Sequence, residues 1–167
     1  MLFRSLTVPG YGFVLHDRGA LFSLDPQSPN AIAPHKRPFN TLSAGFVMQA
    51  GRPFMTLTLM GGDMQAQGHA QVLVNVLDLG ANVQAASDMA RFHHYQLHNV
   101  VDLESPLYAL VGASLAAMGH RVQSADGSSM GGFQSIMVVA GDFRAAGMAP
   151  VYRAGSDHRK DGGAVGW

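Results

Sequence analysis

Cysteine is absent from the 167 residues, which excludes disulfides, thiolate zinc sites, iron–sulfur clusters and thiol nucleophiles. Charge is scarce as well. Asp, Glu, Lys and Arg make up 13%, against about 25% in an ordinary soluble domain. Glu104 is the single glutamate, and Lys36 and Lys160 are the only lysines. The 11 basic and 11 acidic side chains cancel, leaving no basic surplus with which to bind nucleic acid. No apolar run reaches the roughly 18 residues of a membrane span. Met1 to Gly10 lacks the apolar stretch of a signal peptide, and the compartment stays open. What is abundant is apolar: 47% of residues are hydrophobic, enough to fill a sizeable core in one domain spanning 1–167. A chain this poor in charge is expected to bury surface against a partner.

Punctuation and periodicity divide the chain into strands, then helices, then strands. Tyr11 to Leu15 reads as a strand before a turn at Asp17-Arg18-Gly19. Asp25 to Arg37 holds three prolines and reads as a long loop. Phe46 to Met48 and Met55 to Leu59 read as buried strands joined around Gly51-Arg52-Pro53. From Gln65 to Leu79 apolar residues recur at helical spacing, with Gly80 as a stop. A shorter helix is predicted over Val83 to Ala90 with Asn82 as its cap. Another is predicted over Pro106 to Met118, capped by Ser105 and ended by Gly119. Neither of the two longer helices carries a charged face, so both are expected to be covered on both sides. Strands follow at Arg121 to Ser124, Gln134 to Val139 and Arg144 to Tyr152. The order implies an α+β layer arrangement, not a βαβ array.

Three local patterns invite chemistry. Gly127-Ser128-Ser129-Met130-Gly131 fits G-x-S-x-G, yet a nucleophile elbow needs a helix after the serine. Here a strand follows, so Ser129 is expected to sit in a plain turn. His94 and His98 stand four apart beside His93, but the register there is extended and the metal reading gives way to packing histidines; Asp63 and His69 join them only by folding back. Gly61-Gly62 lies between a strand and a helix, where backbone N–H groups can face an anion or an oxyanion.

Larger blocks are more specific. Val8 to Pro26 (VPGYGFVLHDRGALFSLDP), Pro34 to Leu42 (PHKRPFNTL), Leu59 to Gly80 (LMGGDMQAQGHAQVLVNVLDLG), Asp88 to His94 (DMARFHH) and Gly155 to Trp167 occur in an order that resembles the small subunit of the gamma-glutamyltransferase family. The resemblance implies a portion of an N-terminal-nucleophile (Ntn) hydrolase αββα sandwich, made by self-cleavage of a precursor, with no cofactor and no metal. It implies an N-terminal threonine that attacks a gamma-glutamyl amide with its own α-amine as base. The acyl-enzyme so formed then passes its acyl group to water or to an amino acid.

Two departures qualify it. Thr7 directly precedes the Val8-Pro9-Gly10 block and does not match the nucleophile, so the resemblance places that threonine on polypeptide upstream of these residues. The expected partner is the large subunit or the remainder of the precursor, or a second copy. A free-standing module without catalysis is the alternative. Gly61 and Gly62 match the family's oxyanion pair, whereas the ammonium-binding positions differ: Arg18 replaces a Glu or Gln, and Leu21 replaces an Asp. A guanidinium a few ångström from an ammonium repels it by on the order of a few kcal/mol. Asn40 and Thr41 correspond to the paired serines that hold the donor's carboxylate, and both still donate hydrogen bonds. The expected substrate is a small amide whose acyl group bears a carboxylate but no ammonium, with Arg18 as a carboxylate fork. This version resembles the oxamate amidohydrolase-like and acylase-like branch of the family.

Overall fold

A computed structural model describes residues 6–140 and 150–166, without the side chain of residue 140. The chain forms two compact units, Met1–Thr41 and Leu42–Trp167.

In the first unit the expected strand at Tyr11 to Leu15 shrinks to one antiparallel bridge between Thr7 and Val14. Gly10 and Gly12, at φ +83° and +76°, curl the chain between the bridged residues, and left-handed backbone cannot extend a ladder. A 3-10 turn spans Arg18–Leu21. The proline loop contains no helix or strand beyond a bridge from Ser23 to Ala31. The Lys36 ammonium closes it by donating to the Pro29 and Ala31 carbonyls at 2.6 and 2.9 Å.

The second unit holds two sheets and three helices. β1 (Ala44–Gln49) and β2 (Arg52–Met60) form a hairpin. Its two-residue turn is tighter than the sequence suggests: Ala50 and Gly51 both take positive φ, 49° and 76°, the backbone that matches strand twist. α1 (Met64–Leu77) and α2 (Val83–Asp88) follow, with the Asn82 side chain accepting the Ala85 N–H at 2.9 Å as a cap. β3 (Phe92–Tyr95) pairs antiparallel with β4 (Val100–Glu104), and β5 (Val122–Ala125) joins β4 in parallel. The crossover between β4 and β5 is α3 (Ser105–Ala117). One β-α-β unit is therefore present where a purely antiparallel arrangement was expected, and the α+β class stands. Ser105 is a helical residue rather than the cap, because Glu104 takes the extended conformation before the helix. β6 (Gly132–Ala140) and β7 (Val151–Ser156) complete a four-stranded antiparallel sheet of order β1-β2-β6-β7. Much of the strand expected at Arg144 to Tyr152 lies outside the described residues.

The core lies between this sheet and two helices. Met55 and Leu59 of β2 with Phe133 and Met137 of β6 face Met64, Val72 and Val76 of α1 and Val83 and Ala86 of α2. Neither charge-free helix is covered on both sides by described residues. Val74 and Leu77 of α1, and Leu110 of α3, are exposed. Among the described residues no helix is long and apolar enough to cross a membrane.

Three glutamines close two sheet edges. The Gln67 amide exchanges hydrogen bonds with the His94 backbone at 2.9 and 2.8 Å. Gln71 does the same with Phe92 at 2.9 and 3.0 Å. Four residues of helix rise about 6.0 Å and two of strand about 6.6 Å, so the side chains fall in step with the free groups of β3. Gln84 of α2 pairs likewise with Ser156 of β7. An exposed edge would otherwise invite a foreign strand.

Candidate active site

A diglycine corner joins β2 to α1. Gly61 and Gly62 adopt φ +146° and +61°, conformations that L side chains rarely enter. The Gly61 and Gly62 carbonyls accept the Met64 and Gln65 N–H groups at 3.2 and 3.1 Å, turning the chain into α1. Both glycines are exposed, and neither amide N–H donates to any described residue. A side chain at Gly62 would meet open space. Two N–H groups beside a helix start present partial positive charge to whatever approaches. Asp63, next in the chain, is exposed and gives α1 no side-chain cap.

Arg18, Asn40 and Thr41 all belong to the first unit. Arg18 opens the 3-10 turn and its amide donates to the His16 ring at 3.1 Å. Asn40 and Thr41 lie in chain without regular structure, Asn40 exposed and Thr41 half-buried. The Leu21 carbonyl accepts the Asn30 side-chain amide at 2.7 Å.

Behind the diglycine corner lies a buried ionic network that sequence reasoning missed. The Arg91 guanidinium donates to Asp157 at 2.6 Å, to the Ser87 carbonyl at 2.9 Å and to the Met130 carbonyl at 3.0 Å. Arg159 forks onto Glu104 at 2.7 and 2.6 Å and reaches Asp157 at 3.0 Å. Asp157 also accepts the Phe133 and Arg159 N–H groups at 2.9 and 3.0 Å. Burial alone would raise the Asp157 carboxyl, but the two backbone donors and Arg91 outweigh it and hold the group below the ordinary carboxylate range. Burial likewise opposes the charge on Arg159, yet Glu104 and Asp157 hold its affinity for protons above normal. The signal was available: Glu104 is the only glutamate, and in so charge-poor a chain a lone acid at a strand end is conspicuous.

The histidines do not assemble into a metal centre. Among the described residues no three His, Cys, Asp or Glu side chains are grouped to hold an ion. His93 is 4% exposed and packs against the Tyr95 ring at 4.0 Å. Burial lowers its pKa against the opposing pull of Asp102 and Asp63. His94 meets Asn99 at 3.3 Å through Nε2, and the His98 carbonyl accepts from Arg121 at 3.1 Å. His69 on α1 has a buried Nε2 without a partner among the described residues, and burial lowers its pKa. Ser129 sits in a 3-10 turn (Gly127–Ser129) opened by Asp126, whose side chain accepts the Ser128 N–H at 2.7 Å. A strand follows, and the arrangement is not a nucleophile elbow.

The layered sheets and helices are of the Ntn-hydrolase class, as in solved gamma-glutamyltranspeptidases and a cephalosporin acylase. The gamma-glutamyltranspeptidase family model matches residues 2–167, and the chain belongs to that family. The glutathione hydrolase proenzyme of Escherichia coli is 31% identical over 137 residues, covering 76% of this chain and 23% of its own length. The oxamate amidohydrolase proenzyme of Klebsiella pneumoniae is 32% identical over 122 residues, covering 71% and 23%. The chain thus spans less than a quarter of these curated relatives. Among solved structures, the gamma-glutamyltranspeptidase of Pseudomonas nitroreducens complexed with L-DON superimposes with TM-score 0.77 at 28% identity, covering 99% of this chain and 88% of that one. The cephalosporin acylase of Bacillus halodurans gives 0.78 at 34%, covering 95% and 28%.

Proposed function

We propose that residues 1–167 act as the small-subunit-like portion of an amide-cleaving Ntn enzyme, and that the Gly61 and Gly62 amides stabilise the oxyanion of its tetrahedral intermediate. Such an intermediate forms when a hydroxyl adds to an amide carbonyl and the carbonyl oxygen takes up negative charge. Preorganised N–H donors at that oxygen are each worth about 100- to 1,000-fold in rate. The observation that carries the reading is that the amides of two exposed glycines at the β2–α1 corner donate to no described residue. The attacking threonine is assigned to polypeptide outside these residues, since Thr7 does not match the family's nucleophile. That polypeptide, the large subunit or the rest of a precursor, is the proposed partner.

The donor is a small amide bearing a carboxylate and no ammonium. The assignment rests on sequence correspondence: Arg18, Asn40 and Thr41 occupy the positions that the family resemblance gives to recognition of the donor, and all three are residue types that hydrogen-bond a carboxylate. The test compares glutaryl-p-nitroanilide with gamma-glutamyl-p-nitroanilide on the assembled enzyme. The two share the acyl skeleton and differ by the ammonium. The glutaryl amide is expected to give the higher kcat/KM by about tenfold or more, the equivalent of about 1.4 kcal/mol. Equal or faster cleavage of the gamma-glutamyl amide overturns the donor assignment.

A further inference from the structure

We propose that Gly131 is a positioning residue for the Gly61 amide: its missing side chain sets the tilt of the peptide unit joining Met60 to Gly61. The inference rests on the oxyanion reading above. A methyl group placed on Gly131 would stand 2.6 Å from the Met60 carbonyl oxygen and 2.5 Å from a Leu59 methyl. One placed on Gly61 would stand 2.8 Å from the Gly131 Cα. The two glycines therefore touch backbone to backbone. The Met60 carbonyl and the Gly61 N–H are opposite ends of one planar unit, so a push on the oxygen turns the N–H away from its aim.

Gly131 cannot easily retreat from such a push. It is buried at φ +76°. On one side the Arg91 guanidinium holds the Met130 carbonyl at 3.0 Å, and the Met130 N–H is held by the Gly127 carbonyl at 3.1 Å. On the other side Asp157 holds the Phe133 N–H at 2.9 Å. Both flanks are tied to the ionic network, so displacement falls on the Met60–Gly61 unit. The Gly127–Gly131 motif acquires a role at the site through its last glycine rather than its serine.

The test uses the assembled enzyme, whichever of the two anilides it cleaves, and 4-boronobutanoate as inhibitor. The nucleophile's hydroxyl oxygen adds to the trigonal boron and its proton passes to the base. The boron becomes tetrahedral and anionic, with a hydroxyl where the oxyanion would lie. Gly131→Ala is expected to lower kcat about tenfold or more, short of the loss of a whole donor. KM should stay within about twofold, while the boronate Ki rises by the same factor as kcat falls. Gly61→Ala, which strikes the same contact from the other side, should behave alike. If Gly61→Ala moves kcat and Ki but Gly131→Ala does not, the proposal falls and the oxyanion reading stands. If both leave kcat and Ki unchanged, both fall. Loss of folded enzyme with an unchanged Ki for the remainder means that Gly131 is merely structural. Where Gly131→Ala fails to fold, Leu59→Val/Gly131→Ala relieves the Leu59 contact and keeps the Met60 one. It should retain the low kcat and high Ki relative to Leu59→Val alone, and recovery of both overturns the proposal.

Discussion

Replacing Asp157 with asparagine tests whether the ionic network organises the second unit. Asn is nearly isosteric, but its amide nitrogen cannot accept a hydrogen bond. Asp157 accepts on both oxygens, from Arg91 and Phe133 on Oδ2 and from Arg159 on Oδ1. Whichever way the amide turns, a donor faces donors, and two arginine side chains 2–3% exposed lose a shared counter-charge. Breaking a buried ion pair by removing one partner costs about 3–5 kcal/mol. For a chain of this length each kcal/mol moves Tm by about 2–4 °C, so Asp157→Asn should melt roughly 6–20 °C below the parent. Circular dichroism melts and urea titrations at pH 7 measure it. The parent has its own acid limit: a carboxyl held low in the folded state stabilises above about pH 4 and loses that contribution as pH falls through its folded value. The variant should lack that component of the acid transition. A Tm within about 2 °C of the parent, or an unaltered acid limb, would refute the argument.

Two further outcomes follow from the fold. His93 is buried with its pKa lowered, so between that value and about 6.5 the unfolded chain binds more protons. Stability should therefore fall as pH drops below about 6.5, and His93→Phe, which keeps a ring beside Tyr95, should flatten the slope of the urea midpoint between pH 7.5 and 5.5. Gln67→Leu/Gln71→Leu leaves four backbone groups of β3 without their side-chain partners. The double variant should lose about 2–4 kcal/mol in urea titrations and show concentration-dependent association by light scattering, since the uncovered edge can pair with another chain.

Local signals were read well where one residue decides the structure. The Asn82 cap, the stop at Gly80, the proline loop and the diglycine corner each depend on a property of a single side chain or its absence. Ser105 was misplaced because Glu104, at the end of a strand, already supplies the extended residue before α3. The Tyr11 strand failed because Gly10 and Gly12 accept left-handed backbone, which periodicity does not register. The parallel β4–β5 pair could not be read either, since the direction of pairing is fixed by the α3 crossover and not by either strand. At the proposed site, the strand-to-helix position of the two glycines was legible, but the Gly61–Gly131 contact joins residues seventy apart in sequence. The ionic network likewise draws Arg91, Glu104 and the Asp157/Arg159 pair from three separate segments. Charge scarcity hinted that such acids matter without saying to what they bind.

The proposed chemistry reduces to where an oxygen sits. A crystal structure of the assembled enzyme soaked with 4-boronobutanoate would place the boron-bound hydroxyl directly. It should lie about 2.7–3.1 Å from the amide nitrogens of both Gly61 and Gly62. A tetrahedral boron whose oxygens all point elsewhere, leaving both amides to water, would contradict the assignment of this corner.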